Sequence, residues 1–426
     1  MNTGSMSEKT ACDVAVIGGG AAGMMAALQA AWTGARVALL EKNEKLGKKI
    51  YITGKGRCNV TNVADIEDFF KQIPRNPRFL NAAARQFTHE DVTGLLDMLG
   101  TPTKVERGGR VFPESDKASD VTRALDRGMR DAGVVISLNT EAAHVKPAEH
   151  GFDIALTQGG VLRAGSVIVA TGGVSYPSTG STGDGYRFAK ENGLNVTKLG
   201  ASLVGMTVDE KWCMLLQGLS LKNVRVTAKA GKKTIYSELG EMLFTHFGVS
   251  GPLIIELSSH MPEDYSQVSV TLDMKPGLTD EQVDLRLQRD FAENNRKQIS
   301  SVLTGLMPAR MAPVFAKLCG VDTDTPISQV TREQRMAIGH ALKALPLHVV
   351  GTRPIEEAIV TRGGVDVLEI TPGTMMSKKV PGLFFAGEVL DVDAHTGGFN
   401  LQIAFSTGAL AGKSAAAWAM DHQASC

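Results

Sequence analysis

The chain has 426 residues, which is enough for two or three domains with a large buried core. Hydrophobic residues make up 43% of it and charged residues 21%, values that are ordinary for a soluble globular protein and argue against a disordered chain. Because 45 basic residues balance 45 acidic ones, net charge gives no argument for a nucleic-acid partner, although a local basic patch stays open.

The cysteines and the N-terminus indicate the compartment. Five scattered cysteines with no paired spacing are typical of a reducing compartment, and they predict neither a disulfide framework nor a metal site. Residues 1–10 are polar and are predicted to be a disordered leader without the apolar segment of a signal peptide. No apolar run approaches the roughly 20 residues of a membrane helix. We therefore expect a cytoplasmic protein with no membrane partner.

The first elements predict a strand–helix–strand unit. An apolar strand at Asp13–Ile17 is followed by a glycine turn and an alanine-rich helix from about Ala21 to Thr33, which Gly34 is placed to end. A second strand, Arg36–Leu40, ends at Glu41. Two strands joined by a helix over about 30 residues must be parallel.

The remaining elements indicate a nucleotide-binding domain with an insertion. Residues 76–133 are predicted to be helical and 134–170 to form short strands. Alternating segments in 203–275 predict a half-buried antiparallel sheet, and 279–344 are predicted to be helices, two of them opened by the capping boxes Thr279…Gln282 and Thr331…Gln334. The strand-and-glycine pattern then returns. We predict an α/β fold in which a discontinuous domain, 11–200 and 351–420, carries an inserted substrate-side domain at 201–350.

The glycine turn has the spacing of a dinucleotide fingerprint. Gly18 permits the tight turn, Gly20 lets the backbone approach a pyrophosphate, and Gly23 lets the helix pack closely on the strand. The N-terminus of the helix presents free N–H groups to the phosphates. Glu41, at the end of the second strand, is placed to accept the ribose hydroxyls. The fingerprint leaves FAD and NAD open, and an ordinary strand-to-helix turn is the alternative.

The C-terminal region favours FAD. In residues 383–402 a buried strand leads to Gly387 and Glu388, Asp391 follows, and Gly397 and Gly398 open a long helix. The N-terminus of such a helix stabilises the negative charge of a reduced flavin. Ala170–Gly172 supplies a third crossing typical of flavoprotein folds. A helix packed for structural reasons alone is the alternative.

Five blocks resemble one family of flavoproteins. They are TGKGRCNVTN (53–62), ATGGVSYPSTGSTGDGY (170–186), THFGVSGP (245–252), VTRGGVDVLEI (360–370) and LFFAGEVLDVDAHTGGFNLQIAFSTGALAG (383–412). In this order they resemble the BaiN/RdsA family of FAD-dependent oxidoreductases over residues 12–415. The resemblance implies a Rossmann-like FAD domain interrupted by a β-barrel plus helical insert. Two positions depart from the family pattern, Met376 in place of Glu and Ala394 in place of Gly.

The fingerprint, the C-terminal element and the resemblance together give a set of candidate FAD contacts. They are Gly18, Gly20, Ala21, Ala22, Gly23, Glu41, Lys42, Gly47, Lys49, Gly56, Arg57, Cys58, Asn59, Ala170, Thr171, Gly172, Gly387, Glu388, Asp391, Gly397, Gly398, Phe399, Asn400, Leu401 and Gln402.

Two residues are candidates for catalysis. Cys58 is a candidate proton donor, since a thiol with a pKa near about 8.5 is protonated yet able to release its proton. His246 is a candidate acid or substrate anchor. The alternatives are a buried structural cysteine and a structural histidine. The basic side chains of Lys48, Lys49 and nearby positions are candidate phosphate contacts, or a solvated loop.

The resemblance implies hydride exchange between a substrate and flavin N5. Our first hypothesis is reduction of a C=C bond such as that of uridine, giving dihydrouridine in large-subunit ribosomal RNA. The second is an FAD-dependent oxidase or reductase of a small molecule, a steroid-like enone or an amine. The third is a non-catalytic flavoprotein. No second dinucleotide fingerprint is present, so NAD(P)H, if it is the reductant, has to reach the flavin through the substrate cleft.

Overall fold

The computed structural model describes residues 11–423 and divides into two compact units. One unit holds the chain up to Ser202 and again from Ile355, and the other holds Leu203–Pro354. The predicted bounds of the insert, 201 and 350, lie close to these. The predicted leader, residues 1–10, lies outside the described residues.

The first unit begins with the N-terminal half of the chain. Its strands there are β1 (Ala11–Ile17), β2 (Val37–Leu40), β3 (Thr61–Asn62), β4 (Thr103–Glu106), β5 (Arg110–Pro113), β6 (Val135–Ser137), β7 (Ala142–Ala148), β8 (Gly151–Leu156), β9 (Val161–Val169) and β10 (Gly200–Ser202). Its helices there are α1 (Ala21–Trp32), α2 (Lys48–Ile52), α3 (Ile66–Lys71), α4 (Asn81–Gln86), α5 (His89–Met98), α6 (Ala118–Asp131) and α7 (Asp184–Glu191).

The second unit and the return of the chain follow. The second unit holds α8 (Trp212–Leu215), α9 (Pro252–His260), α10 (Asp280–Glu293), α11 (Ile299–Leu303), α12 (Ala312–Leu318) and α13 (Arg332–Ala344). Its strands are β11 (Met206–Val208), β12 (Ser220–Ala230), β13 (Lys233–Thr245), β14 (Gly248–Ser250), β15 (Val268–Asp273), β16 (Leu345–Leu347) and β17 (Val349–Thr352). The first unit resumes with β18 (Val360–Arg362), β19 (Leu383–Phe385) and α14 (Phe399–Gln423).

The central sheet of the first unit is ordered β6-β2-β1-β9-β8-β7. Strand β1 pairs in parallel with β2 and with β9, as Val14↔Val37 and Ala15↔Val167. The N-terminal part of β9 pairs antiparallel with β8, while its last residues pair in parallel with β19, as in Val167↔Leu383. Both ends of the chain therefore build one sheet, and the predicted Rossmann-type α/β fold is confirmed.

Helices α1 and α14 pack backbone against backbone in the first unit. A Cβ built at Gly408 would lie 2.4 Å from the Ala22 carbonyl oxygen, and one at Gly412 would lie 2.3 Å from that of Ala26. Glycine at both positions of α14 is what allows this approach, and it holds the C-terminal helix against the helix of the fingerprint.

The helical prediction for 76–133 is wrong between Thr103 and Pro113. There β4 and β5 form an antiparallel ribbon that also pairs with β3. Gly108 and Gly109, with φ of 78° and 71°, provide the turn. The strands have few apolar residues, so their alternation is too weak to predict a strand.

The sheet of the second unit closes into a barrel. Its strands are ordered β16-β15-β12-β13-β14-β11-β17. The two end strands, β16 and β17, are consecutive in the chain and separated only by His348, so the sheet closes on itself through one bent segment. Helices α10–α13 form the helical part, and α10 and α13 begin with the predicted capping boxes at Thr279 and Thr331. This unit is the β-barrel plus helical insert that the resemblance implies.

Candidate cofactor-binding cleft

The glycine turn between β1 and α1 contains two kinds of glycine. Gly18 has a φ of 103°, and a Cβ there would lie 2.6 Å from the Ala170 carbonyl oxygen. A Cβ at Gly23 would lie 1.8 Å from the Gly18 carbonyl oxygen. At Gly20 a Cβ would meet no atom within 4 Å. The packing of the protein itself requires Gly18 and Gly23, whereas the space beside Gly20 is free for the phosphates of a ligand.

Glu41, directly after β2, is buried and oriented by three hydrogen bonds. Its Oε2 accepts the Gly19 N–H at 2.7 Å. Its Oε1 accepts the backbone N–H and the side-chain amide of Asn43, at 2.8 and 2.6 Å. A carboxylate has about four acceptor positions, so acceptor capacity is left for a ligand hydroxyl.

A cleft opens in front of the turn, and all of its lining residues belong to the first unit. Its empty space, including the part open to solvent, is about 1280 Å³. The Thr171 Oγ1 atom is buried at its wall and has no hydrogen-bond partner among the described residues. The free space, the open face of Gly20 and this unsatisfied hydroxyl all fit a dinucleotide.

Separate segments of the chain contribute predicted residues to this lining. They are Gly18, Gly20, Ala21, Ala22, Glu41, Lys42, Gly47, Lys49, Ala170, Thr171, Gly172, Glu388, Asn400 and Leu401.

Sequence reasoning missed other lining residues. Those from 179–184 are Thr179, Gly180, Ser181 and Asp184, and they lie in a segment whose density of Gly, Ser and Thr indicated only a loop. Asp184 accepts a hydrogen bond from Lys42 Nζ at 2.7 Å. Thr140–Ala142, which leads into the start of β7 at Ala142, also lines the cleft and has no local signal in the sequence.

An ion pair joins distant parts of the cleft wall. Lys49 Nζ lies 2.7 Å from Glu388 Oε2 and also donates to Ser175 Oγ at 2.6 Å. Glu388 Oε1 accepts from Ser175 Oγ and from the Thr361 N–H, both at 2.9 Å. Burial would raise the pKa of Glu388, but the Lys49 ammonium and these hydrogen bonds hold it below its ordinary value. The carboxylate is therefore charged and fixed in place.

The loop before α14 is shaped by glycines and by Asn400. Gly397 and Gly398 have φ of 128° and 102°, and a Cβ at Gly398 would lie 2.3 Å from the Thr61 carbonyl oxygen. The Asn400 amide donates to the Ala394 carbonyl at 2.7 Å, and its Oδ1 accepts the Ala394 N–H at 2.9 Å. Asn400 thus fixes this loop while it also lines the cleft.

The other predicted cofactor residues lie outside the lining of the cleft. They are Gly23, Gly56, Arg57, Cys58, Asn59, Gly387, Asp391, Gly397, Gly398, Phe399 and Gln402. Gln402 has a packing role, since its amide donates to the Phe87 carbonyl at 3.0 Å and its Oε1 accepts from Thr61 Oγ1 at 2.5 Å. Burial is the main cause of the raised pKa of Asp391.

The cations of the basic loop 42–57 are largely paired within the first unit. Lys42 pairs with Asp184, Lys48 with Glu44 at 2.9 Å, and Lys49 with Glu388. Arg57 pairs with both Glu106 and Asp116 and stacks 4.2 Å over the Phe112 ring. Most of the positive charge of this loop is therefore neutralised locally, which weakens its interpretation as an RNA contact.

Cys58 is fully buried, and its burial raises the pKa of the thiol to about 12. It lies in a turn in which Lys55 and Cys58 themselves have positive φ, of 58° and 62°. The next residue, Asn59, has a buried Oδ1 without a hydrogen-bond partner among the described residues, and a Cβ on Gly398 would lie 3.0 Å from it. The turn thus adjoins the loop before α14.

His246 lies in the second unit, in the turn between β13 and β14. Its side chain is exposed, and its ring meets that of Phe247 edge-on with centroids 5.1 Å apart. The catalytic roles of Cys58 and His246 stay predictions.

Residues 11–423 contain neither a membrane-spanning helix nor a metal cluster, and their cysteines are unpaired. None of the helices there is long and apolar enough to cross a membrane. No group of three or more His, Cys, Asp or Glu side chains in that range is placed to hold a metal ion. Cys12, Cys58, Cys213 and Cys319 are all free thiols.

The chain is similar over nearly its full length to known proteins. The family model described as "HI0933-like protein Rossmann domain" matches residues 12–414. A 3-dehydro-bile acid delta(4,6)-reductase of Clostridium scindens is 32% identical over 95% of this chain and 98% of its own. A ribosomal RNA dihydrouridine synthase of Escherichia coli is 32% identical over 93% of this chain and 96% of its own. Among solved structures, an open flavocytochrome c3 fumarate reductase is 18% identical, covers 97% of this chain and 80% of its own, and has a TM-score of 0.49.

Proposed function

Because this chain belongs to the HI0933-like family of FAD-dependent oxidoreductases, we propose that it reduces the C5=C6 bond of uridine in large-subunit ribosomal RNA. The observation behind the proposal is the similarity over nearly the full length of both chains to a ribosomal RNA dihydrouridine synthase. The bile-acid reductase is equally similar. Uracil and a steroid enone share one reactive group, a C=C bond conjugated to a carbonyl, and reduction adds two electrons and two protons to it.

The cleft residues are proposed to hold FAD by distinct contacts. The backbone beside Gly20 and the N–H groups at the start of α1 would bind the pyrophosphate, and Glu41 would accept an adenosine ribose hydroxyl. Thr171 Oγ1, which has no hydrogen-bond partner within residues 11–423, would bond a polar group of the cofactor. Bound FAD supplies two-electron exchange with the substrate. The Lys49–Glu388 pair keeps the far wall of the cleft in one geometry.

Cys58 is the proposed donor of the proton that the double bond takes up at the carbon that does not receive the hydride. Its raised pKa keeps the buried thiol protonated but makes it a weaker acid than an exposed thiol. Its complete burial means that donation requires the Thr53–Asn59 turn to open, and the positive φ of Lys55 and Cys58 makes this turn a strained one. The unsatisfied Asn59 Oδ1 supports a ligand group near the same turn.

A Cys58→Ala variant tests this role. It should keep its FAD and its rate of flavin reduction by NAD(P)H, but lose about 100-fold or more in product formation. Cys12→Ala, which removes another buried thiol of the same unit, is the control and should keep full activity. Full product formation by Cys58→Ala would assign Cys58 to packing. His246→Ala tests the predicted substrate anchor in the same assay, through an increase in KM.

A small apolar substrate is the second candidate. A second cavity of the first unit has about 570 Å³ of empty space, including the part open to solvent. Its lining combines apolar residues such as Ile66 and Phe69 with polar ones such as Asn62, Glu90 and Gln402. An apolar wall with a few polar groups suits a steroid-like enone, which carries a carbonyl on an apolar body. NAD(P)H is the proposed reductant in both cases, and a ribosomal substrate would place the enzyme in the cytoplasm.

Purified FAD-loaded enzyme distinguishes these candidates. With NADH or NADPH, it should convert uridine to dihydrouridine in ribosomal RNA from a strain lacking this gene, as detected by mass spectrometry of the digested RNA. A 3-oxo-Δ4 steroid should remain unreduced under the same conditions. Reduction of the steroid without formation of dihydrouridine would support the small-molecule enzyme. If neither NADH nor NADPH reduces the bound flavin under anaerobic conditions, the result would support a non-catalytic flavoprotein.

A further inference from the structure

The outer face of the β12–β13 hairpin, in the second unit, has an uncompensated positive charge. Between Ser220 and Ile235 the sequence contains five basic residues and no acidic one, in a chain with no net charge. We call these the hairpin cations: Lys222, Arg225, Lys229, Lys232 and Lys233.

The strand pattern of β12 separates apolar from basic residues. Val224, Val226 and Ala228 are buried in the core of the second unit. Arg225 and Lys229 alternate with them and point to the opposite face, where Arg225 is half-buried and Lys229 is exposed. At a rise of about 3.3 Å per residue, these two positions are about 13 Å apart along the strand. The alternation leaves a row of cations on the outside of the barrel.

Both ends of the strand extend this row. At the turn, Ala230 pairs with Lys233, so Gly231 and Lys232 form a two-residue tip that projects Lys232 and Lys233. At the other end the register shifts between Leu221 and Val224, and this bulge exposes Lys222. The tip is therefore the most positive part of the hairpin.

The hairpin cations have no carboxylate partners among the described residues, unlike those of the basic loop 42–57. Three carboxylates lie on the strands around them, and Glu238 of β13 is opposite the inward-facing Val226. Asp273, across the strand from Arg225, lies 2.7 Å from Lys343. Glu241 of β13 lies opposite the bulge rather than the tip. A row of exposed cations without internal partners is what an extended polyanion neutralises on binding.

We propose that the hairpin cations are a binding surface for the phosphate backbone of RNA, which rests on ribosomal RNA being the substrate. The two aromatic side chains of the hairpin, Tyr236 and Phe244, are buried and cannot stack on a base. Recognition here is therefore of phosphate spacing rather than of sequence. The hairpin raises affinity for the large substrate and takes no part in the reduction itself.

The triple variant Lys229→Ser, Lys232→Ser, Lys233→Ser tests this surface in the FAD-loaded enzyme. Its affinity for 23S ribosomal RNA should fall about tenfold or more, and the slope of log K against log salt should decrease by about 2–3. KM for the RNA should rise while kcat and reduction by NAD(P)H stay unchanged. A triple variant of exposed cations in the helical part, Arg296→Ser, Lys297→Ser, Lys317→Ser, is the control and should bind RNA as the wild type does.

Wild-type RNA affinity in the hairpin variant, or an equal loss in the control variant, would overturn the proposal. The proposal would also be overturned if the hairpin variant lost binding to phosphatidylglycerol vesicles but kept its binding to RNA. That result would identify the hairpin as a membrane-binding surface. If the wild type binds RNA through the hairpin but forms no dihydrouridine, the binding surface stands and the proposed reaction fails. If the wild type forms dihydrouridine and the hairpin variant does so with unchanged KM, the reaction stands and the surface fails.

Discussion

At the residue scale, Gly20 is the fingerprint glycine that the packing of the protein does not require. A bound ligand is what would require a glycine at this position. Because a Cβ there meets open space, Gly20→Ala should fold, with a free energy of unfolding within about 1 kcal/mol of the wild type as expected for an N-cap change. Its affinity for FAD should nevertheless fall about tenfold or more, as measured by flavin titration of the apoprotein.

Two other glycines provide the controls for that variant. Gly94→Ala, at an open position inside α5, should leave FAD affinity unchanged and raise stability by up to about 1 kcal/mol. Gly23→Ala should lose stability even without cofactor, since its Cβ would lie 1.8 Å from a carbonyl oxygen. Unchanged FAD affinity in Gly20→Ala would mean that the pyrophosphate lies elsewhere.

The Lys49–Glu388 pair predicts a pH dependence. The pKa of Glu388 is lowered in the folded protein, so its contribution to stability is present above the ordinary glutamate range near about 4.3 and is lost as the pH falls through the folded value. In Lys49→Met burial dominates and the pKa of Glu388 rises. Acid unfolding should then begin at a higher pH, with a loss of about 2–4 kcal/mol at neutral pH.

Two variants complete the measurement, made by urea unfolding over a pH series. The double variant Lys49→Met, Glu388→Gln should recover most of the loss, because it removes the uncompensated carboxylate. Lys48→Met, which breaks a pair with the exposed Glu44, should cost at most about 1 kcal/mol. Equal losses in Lys48→Met and Lys49→Met would show that the cleft pair has no special role.

At the scale of elements, the close contact between α1 and α14 depends on glycine at positions 408 and 412 of α14. Gly412→Ala would place its Cβ 2.3 Å from the Ala26 carbonyl oxygen, so thermal unfolding should show a loss of about 1–3 kcal/mol. Gly339→Ala, also inside a helix but with its nearest neighbour at 3.6 Å, should instead stabilise the protein by up to about 1 kcal/mol. A neutral Gly412→Ala would mean that the two helices separate without cost.

Elements with strong local patterns were predictable from the sequence. The first βαβ unit, the buried strand β19 and the capping boxes of α10 and α13 each follow from a period or a spacing within a few residues. The β4–β5 ribbon was missed because its strands have few apolar residues. The closure of the barrel at His348 depends on pairing between strands that are far apart in the sequence. A local sequence pattern does not predict such pairing.

At the scale of the whole molecule, the cleft was predictable where motifs line it and not elsewhere. Gly18, Glu41 and Glu388 lie in recognisable motifs and line it. Thr140–Ala142 also lines the cleft, because the chain enters β7 there. This position depends on the tertiary structure, and no sequence motif marks it. Conversely, Gln402 lies in a recognisable block yet has a packing role, since a motif does not distinguish residues that contact a ligand from those that shape the loop.

The positive charge is also distributed differently from what the sequence suggests. The basic loop 42–57 is the more conspicuous segment because it follows the fingerprint, but its ion pairs with Glu388, Asp184 and Glu106 become visible only in the folded protein. The hairpin cations, within an ordinary amphipathic strand, keep their charge exposed. The hairpin on the inserted unit is therefore the cluster of free positive charge that the folded protein reveals and the sequence motifs do not.

Dihydrouridine in the ribosomal RNA of the host is the most direct readout of the proposed reaction. Mass spectrometry of 23S ribosomal RNA from a strain lacking this gene should show the loss of dihydrouridine at one or more positions. The wild-type gene should restore it, and the Gly20→Ala variant should restore it weakly. An unchanged dihydrouridine content in the deletion strain would contradict the assignment to ribosomal RNA.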